Sequence, residues 1–171
     1  MAQKPRTEPT ETIEYIRPLE SYSFQMNGTE DLEYSIEFPW VDEGGLTNFS
    51  KLTIYESDLG DSPLVTANEL ANESVENVPE GYLILRAVRF DLNVGVGEDF
   101  FSTLDFDVNK EWLESESIDM GRILLIAKDE QDWYELETTY LGMSSDPSGQ
   151  YYERFQAETD DLSIYLIAIS D

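Results

Sequence analysis

Runs in which apolar and polar residues strictly alternate recur along this chain, and they narrow its folds more than any other feature. Leu32, Tyr34, Ile36 and Phe38 fall on one side of an extended segment, with Glu33, Ser35 and Glu37 on the other. Leu104, Phe106 and Val108 repeat the arrangement against Asp105, Asp107 and Asn109. Successive side chains of a β-strand leave opposite faces, so a period of two turns one face toward a core and the other toward water. A helix would scatter the same residues around its circumference. Strands are expected near residues 12–17, 21–26, 31–38, 50–56, 82–92, 100–108, 121–128, 132–140, 150–158 and 162–169. Turn-forming clusters separate them at Met26–Asp31, Asp42–Gly45, Asp58–Pro63, Asn93–Glu98 and Ser144–Gly149.

Short strands at even spacing predict an all-β fold, an antiparallel β-sandwich of immunoglobulin-like or related type with about nine to eleven strands. One or two short helical turns are expected within it. Ala67–Glu73 is rich in Ala, Leu and Glu, and Asn109 is placed to cap a turn carrying Trp112 and Leu113 through Glu116. Residues 1–11 are polar, carry Pro5 and Pro9, and read as a tail or linker; residues 12–171 read as one sandwich domain. Gly81–Asn93 is the most apolar of the early strands, with both faces expected to be partly buried; Arg86 and Arg89 interrupt it, each expected to pair with a carboxylate.

The charge is extreme. Asp and Glu number 37 against 10 Lys and Arg, a net charge of −27. Disordered acidic chains are poor in aromatics, whereas this one is 12% aromatic and 40% hydrophobic, enough for a real core. Without clustered Lys and Arg it is no partner for nucleic acid, and anionic membrane surfaces are disfavoured for the same reason. The acidity fits a high-salt exterior, where screening makes it tolerable, or divalent-cation binding, or plain solubility. Cysteine and histidine are absent, which excludes disulfides, Cys/His zinc sites, thiol nucleophiles and Ser-His-Asp triads. No apolar run reaches the length of a membrane span, and the longest, Ile164–Ile169, has the length of a buried strand. The N-terminus lacks the apolar middle of a secretory signal, and the expectation is an excised piece of a longer exported chain.

Several motifs bear on ligands. Asn27-Gly28-Thr29, Asn48-Phe49-Ser50 and Asn72-Glu73-Ser74 are N-glycosylation sequons in expected turns or strand edges, which makes Asn27, Asn48 and Asn72 the candidate acceptors. Asp105–Glu116 has the acids of an EF-hand loop but Lys110 where the obligatory Gly must turn, so that reading fails. No cofactor is required by any motif. A calcium ion held between acidic loops at one end of a sandwich is the one metal chemistry left, with Asp58, Asp61, Asp129, Asp132, Asp160 and Asp161 as candidate ligands because they sit in turns. Carboxylate pairs at glycosidase spacing, about 5 to 9 Å, would arise by chance among so many acids. Serine and tyrosine nucleophiles lack a base, and no enzyme is expected. Gly95 and Gly97 lack the third glycine of a dinucleotide loop and read as a hairpin turn. Trp40, beside Pro39 and the Asp42 turn, is the tryptophan placed to stack on a sugar; the apolar neighbours of Trp112 and Trp133 mark these as core anchors.

Phe106-Asp107-Val108, then Trp112-Leu113, then Trp133 with Leu136-Glu137-Thr138, then Thr159 with Leu162-Ser163-Ile164-Tyr165 follow one another in a definite order. That order resembles the C-terminal half of the PGF-pre-PGF type domain of archaeal cell-surface, S-layer-associated proteins, over roughly the last 90 residues from about Gly81. The closing segment has Asp160-Asp161-Leu162 where that family has Pro-Gly-Phe. The resemblance implies a surface-displayed, extracellular β domain of structural or adhesive protein, with Trp112 and Trp133 at recurrent positions of the fold. Its partners would be other cell-surface chains or further copies of itself. A carbohydrate-binding module with a structural calcium ion, and a glycan as partner, is the alternative.

Overall fold

The computed structural model describes residues 21–28, 33–40, 44–55, 59, 63–71, 75, 77–94, 101–129 and 132–171. The expected strand at 12–17 and the Gly95–Gly97 turn lie outside these residues. Among the described residues twelve strands form two six-stranded antiparallel sheets, an all-β sandwich. In chain order they are β1 (Ser21–Gln25), β2 (Asn27–Gly28), β3 (Tyr34–Glu37), β4 (Thr47–Tyr55), β5 (Leu64–Leu70) and β6 (Tyr82–Leu92). They continue as β7 (Phe101–Asn109), β8 (Ile123–Lys128), β9 (Trp133–Leu136), β10 (Thr138–Ser145), β11 (Tyr151–Thr159) and β12 (Ile164–Ser170). The first sheet runs β1-β5-β6-β12-β8-β9 and the second β10-β11-β7-β4-β3-β2.

The two sheets are joined at both margins by chain that passes directly between them. Met26, its N–H donating to the Pro63 carbonyl at 3.0 Å, separates β1 in one sheet from β2 in the other. Glu137 does the same between β9 and β10. Between the sheets, Phe49, Leu52 and Ile54 of β4 and Leu104, Phe106 and Val108 of β7 meet Val88, Phe90, Leu125, Tyr165 and Ile167. Phe106 stacks on Phe155 at 5.5 Å between ring centres, and Phe49 meets Phe90 edge-on at 5.4 Å. A smaller apolar cluster lies on the far face of the first sheet, where Ala87, Ile126, Trp133, Leu166 and Ala168 pack with Val75, Val78 and Ile84. Strand β12 is therefore buried on both faces, which accounts for its unbroken apolar run.

The expected helical turn after β7 is present. Helix α1 (Lys110–Ser115) is capped by Asn109, whose side chain accepts from the Trp112 N–H at 3.0 Å, and its Leu113 is buried in the main core. The other one is corrected. Residues expected as a helix at Ala67–Glu73 belong, as far as Leu70, to strand β5, paired with β1 and β6. Val65 is fully buried there, and Glu69 forms an ion pair with Arg86, as expected of that arginine. Alanine and glutamate favour helix by only a few tenths of a kcal/mol per residue, and two strand ladders override that. Among the described residues no helix is long and apolar enough to cross a membrane.

Candidate functional site

The polar face of β7, expected to meet water, is almost closed to it. Asp107 is fully buried, and Asp105 and Asn109 nearly so. The register explains why: Asn48, Asp107 and Arg154 lie abreast on β4, β7 and β11, and Lys51, Asp105 and Gln156 form the next row. Arg154 and Gln156 reach over from β11 to the two β7 carboxylates. Arg154 grips Asp107 with two bonds, Nε to Oδ1 at 2.7 Å and Nη2 to Oδ2 at 3.2 Å, and Ser144 Oγ donates to the same carboxylate at 3.0 Å. The bond to Asp107 raises the Arg154 pKa further. Asp105 accepts from Gln156 Nε2 at 2.8 Å, yet burial pushes its carboxyl above the usual range, against the lowering effect of Gln156, Arg154 and Lys51.

Asp146 behaves oppositely. It closes the β10–β11 turn, with Oδ1 accepting from Ser148 N–H at 2.9 Å, Ser148 Oγ at 2.5 Å and Gln150 N–H at 3.1 Å. Its Oδ2 accepts from Gly44 N–H at 2.7 Å and the Tyr152 hydroxyl at 3.0 Å, which ties the loop before β4 to this turn. Burial pushes this carboxyl upward, but the bonds from Ser148, Gly44, Tyr152 and Gln150 outweigh it and hold it well below the usual range. A depressed carboxyl adds stability above its unfolded pKa, about 4, that is lost as pH falls; a raised one takes stability away as pH climbs past the same point. Asp146→Asn should therefore lower the denaturation midpoint at neutral pH, whereas Asp105→Asn should raise it. Both differences should shrink in acid, below the ordinary aspartate range. Midpoints in urea at neutral and acidic pH check the pair, and equal signs for the two variants would refute the assignment.

Strand β10 is the most distinctive surface. In a chain 27% charged, its residues Thr138–Ser145 carry no charge at all. It pairs with β11 on one side only, and among the described residues no strand pairs with the other. Tyr140, Leu141 and Met143 on β10 and Tyr151 on β11 are 45%, 47%, 57% and 55% exposed. A bulge interrupts the β10–β11 ladder between Tyr140 and Gly142, where Gly142 holds φ +119°, a conformation that favours glycine. A groove of about 630 Å³ runs between α1, with its Lys110–Glu114 ion pair at 2.6 Å, and Met143, Gln150 and Tyr151. An exposed edge strand without charge is what proteins ordinarily avoid, because its free backbone groups template pairing with another strand.

The residues singled out by sequence are scattered. Asp129 and Asp132 share one turn, with Asp129 Oδ1 accepting from Asp132 N–H at 2.8 Å; Asp160 and Asp161 follow β11, with Asp161 Oδ1 accepting from Leu162 N–H at 2.8 Å. The carboxylates of Asp129, Asp132 and Asp161 thus bond to backbone N–H groups of their own turns. Asp129 and Asp161 also border a groove of about 290 Å³ that Arg89 and Lys128 share, which supplies cations from the chain itself. Among the described residues no group of three acids is close enough to hold a metal ion. Asp58, Asp61 and Asn72 lie outside the described residues. Asn27 is exposed on β2. Asn48 is only 3% exposed and its Nδ2 is enclosed without a partner, so in the folded domain it offers a glycan no exit. Trp40 is half-buried and packs on Tyr152 at 4.6 Å between ring centres.

The strand expected at 132–140 is two, β9 and the first residues of β10, and the rest of β10 runs on to Ser145, into the turn expected from Ser144. The one sequence signal of β10 was eight residues without charge in an acidic chain. A scan against protein-family models, a search of curated proteins and a search of solved structures each found no match.

Proposed function

We propose that this domain is a non-catalytic structural or adhesive module of an archaeal cell-surface or envelope protein, working in a saline exterior by docking against other protein chains. The observation that carries this reading is β10, an uncharged sheet edge with exposed Tyr140, Leu141 and Met143 on a domain whose net charge is −27. Repulsion keeps such a domain apart from other acidic surfaces everywhere else and leaves this edge as the place of contact. The order of apolar words shared with the PGF-pre-PGF type domain supports the same setting. A carbohydrate-binding role would want aromatic rings presented in a row on a sheet face. Trp133 instead lies in the cluster beneath the first sheet, and Trp40 rests on Tyr152.

Salt tests the setting. The Debye length falls from about 30 Å at 0.01 M to about 3 Å at 1 M, so screening should relieve most of the surface repulsion. The thermal midpoint of the domain should rise continuously from low to molar sodium chloride. Millimolar calcium should add nothing beyond its ionic strength if the turn aspartates bind no ion; a larger rise would reveal a cation site through linkage. A midpoint that stays flat across the salt range would remove the saline exterior from this reading.

A further inference from the structure

We propose that the free edge of β10 pairs with the β10 edge of a second copy of this chain, antiparallel about a two-fold axis, so that the second sheets of two domains become one. This rests on the docking role above and names the partner. Antiparallel pairing of a strand with itself is closed by a two-fold axis, and each side supplies the same surface. Because no residue of β10 is charged, pairing confined to the strand itself sets no carboxylate against another. That is decisive for a chain with 37 acids, since two like charges directly opposed across strands are destabilising.

The other described edges are poorer. Strand β9 carries Glu135, β2 has two residues, and β1 is uncharged but only five residues long. Strand β10 offers eight, interrupted by the bulge before Gly142, and they include Tyr140, Leu141 and Met143, which with Tyr151 of β11 present apolar surface that the second copy would remove from water. The groove against α1 lies alongside and leaves room for the partner's side chains. The remainder of each domain still repels its copy, so association must strengthen with salt. Docking through surface ion pairs would weaken instead.

Sedimentation velocity of the whole chain over a concentration series, at low and molar sodium chloride, tests this. A monomer–dimer equilibrium that shifts toward dimer in salt is expected. The double variant Leu141→Glu/Met143→Glu should raise the dissociation constant by about tenfold or more, equivalent to about 1.4 kcal/mol, with an unchanged far-UV spectrum. Leu83→Glu, at an exposed position of β6, should leave the dimer intact. Mixing Leu141→Lys/Met143→Lys chains with the Glu pair should restore association as a heterodimer, which an effect on folding alone could not do. Amide exchange should slow across residues 139–145 in the dimer. A wild-type chain that stays monomeric in molar salt, or a dimer that tolerates the Glu pair, overturns the self-pairing. Either result alongside a salt-dependent thermal midpoint leaves the saline-surface reading standing, so the two failures are distinguishable.

Discussion

Replacing Arg154 by methionine should lower the folding free energy by about 3–5 kcal/mol, because it leaves the Asp107 carboxylate buried with its countercharge gone. Asp107 has no exposed surface, and both of its oxygens are held by Arg154. Ser144 would be left as its hydrogen-bond donor from a side chain, which solvates a charge only in part. The arginine side chain is itself 33% exposed, which places the expected loss toward the lower end of the range. Replacing both partners, Asp107→Leu with Arg154→Met, should recover much of the loss, since an apolar pair of similar volume asks for no solvation. The double-mutant cycle from urea midpoints isolates the coupling. Salt separates this interaction from the rest of the charge, because a buried pair is screened far less than surface carboxylates. The Arg154 penalty should therefore persist in molar sodium chloride. A single-variant loss below about 1 kcal/mol would show that water reaches Asp107 in the folded domain.

Why that pair escaped a reading of the sequence is instructive. Alternation in Leu104–Asn109 identified the strand and told its two faces apart, and Leu104, Phe106 and Val108 do fill the core. It could not tell whether the opposite face would be covered, because that depends on which strands flank β7. Strands β4 and β11 are distant in sequence, and it is their Lys51, Arg154 and Gln156 that enclose Asp105 and Asp107. Local signals fared best where the physics is local. Asn109 caps α1 because an amide oxygen three residues before an N–H suffices for that bond. They failed at β5, where pairing with β1 and β6 outweighs the helical preference of Ala67, Glu69 and Leu70. The β10 site was illegible for a topological reason: a strand becomes an edge only when the order of the whole sheet is known. Its alternation is also broken by the bulge before Gly142, which shifts the register between Tyr140 and Gly142.

Trp133→Ala should cost about 3–5 kcal/mol, as much as removing an aromatic ring from the main core. Trp133 does not lie between the sheets. It is 8% exposed on the far face of the first sheet, against Ile126 and Leu166, with Lys128 Nζ 5.4 Å from its ring centre. Strand β12 connects this cluster to the main core, since Leu166 and Ala168 face one and Tyr165 and Ile167 the other. Loosening one face of a shared central strand must therefore be felt on both. Trp112, partly buried where α1 meets the core, should lose less on the same substitution. Urea unfolding followed by far-UV dichroism and by tyrosine fluorescence should give coincident transitions for each variant, as a single cooperative unit requires. If Trp133→Ala instead left the midpoint unmoved while Trp112→Ala shifted it, the outer cluster would be an accessory layer. The first sheet would then owe its stability to its inner face alone.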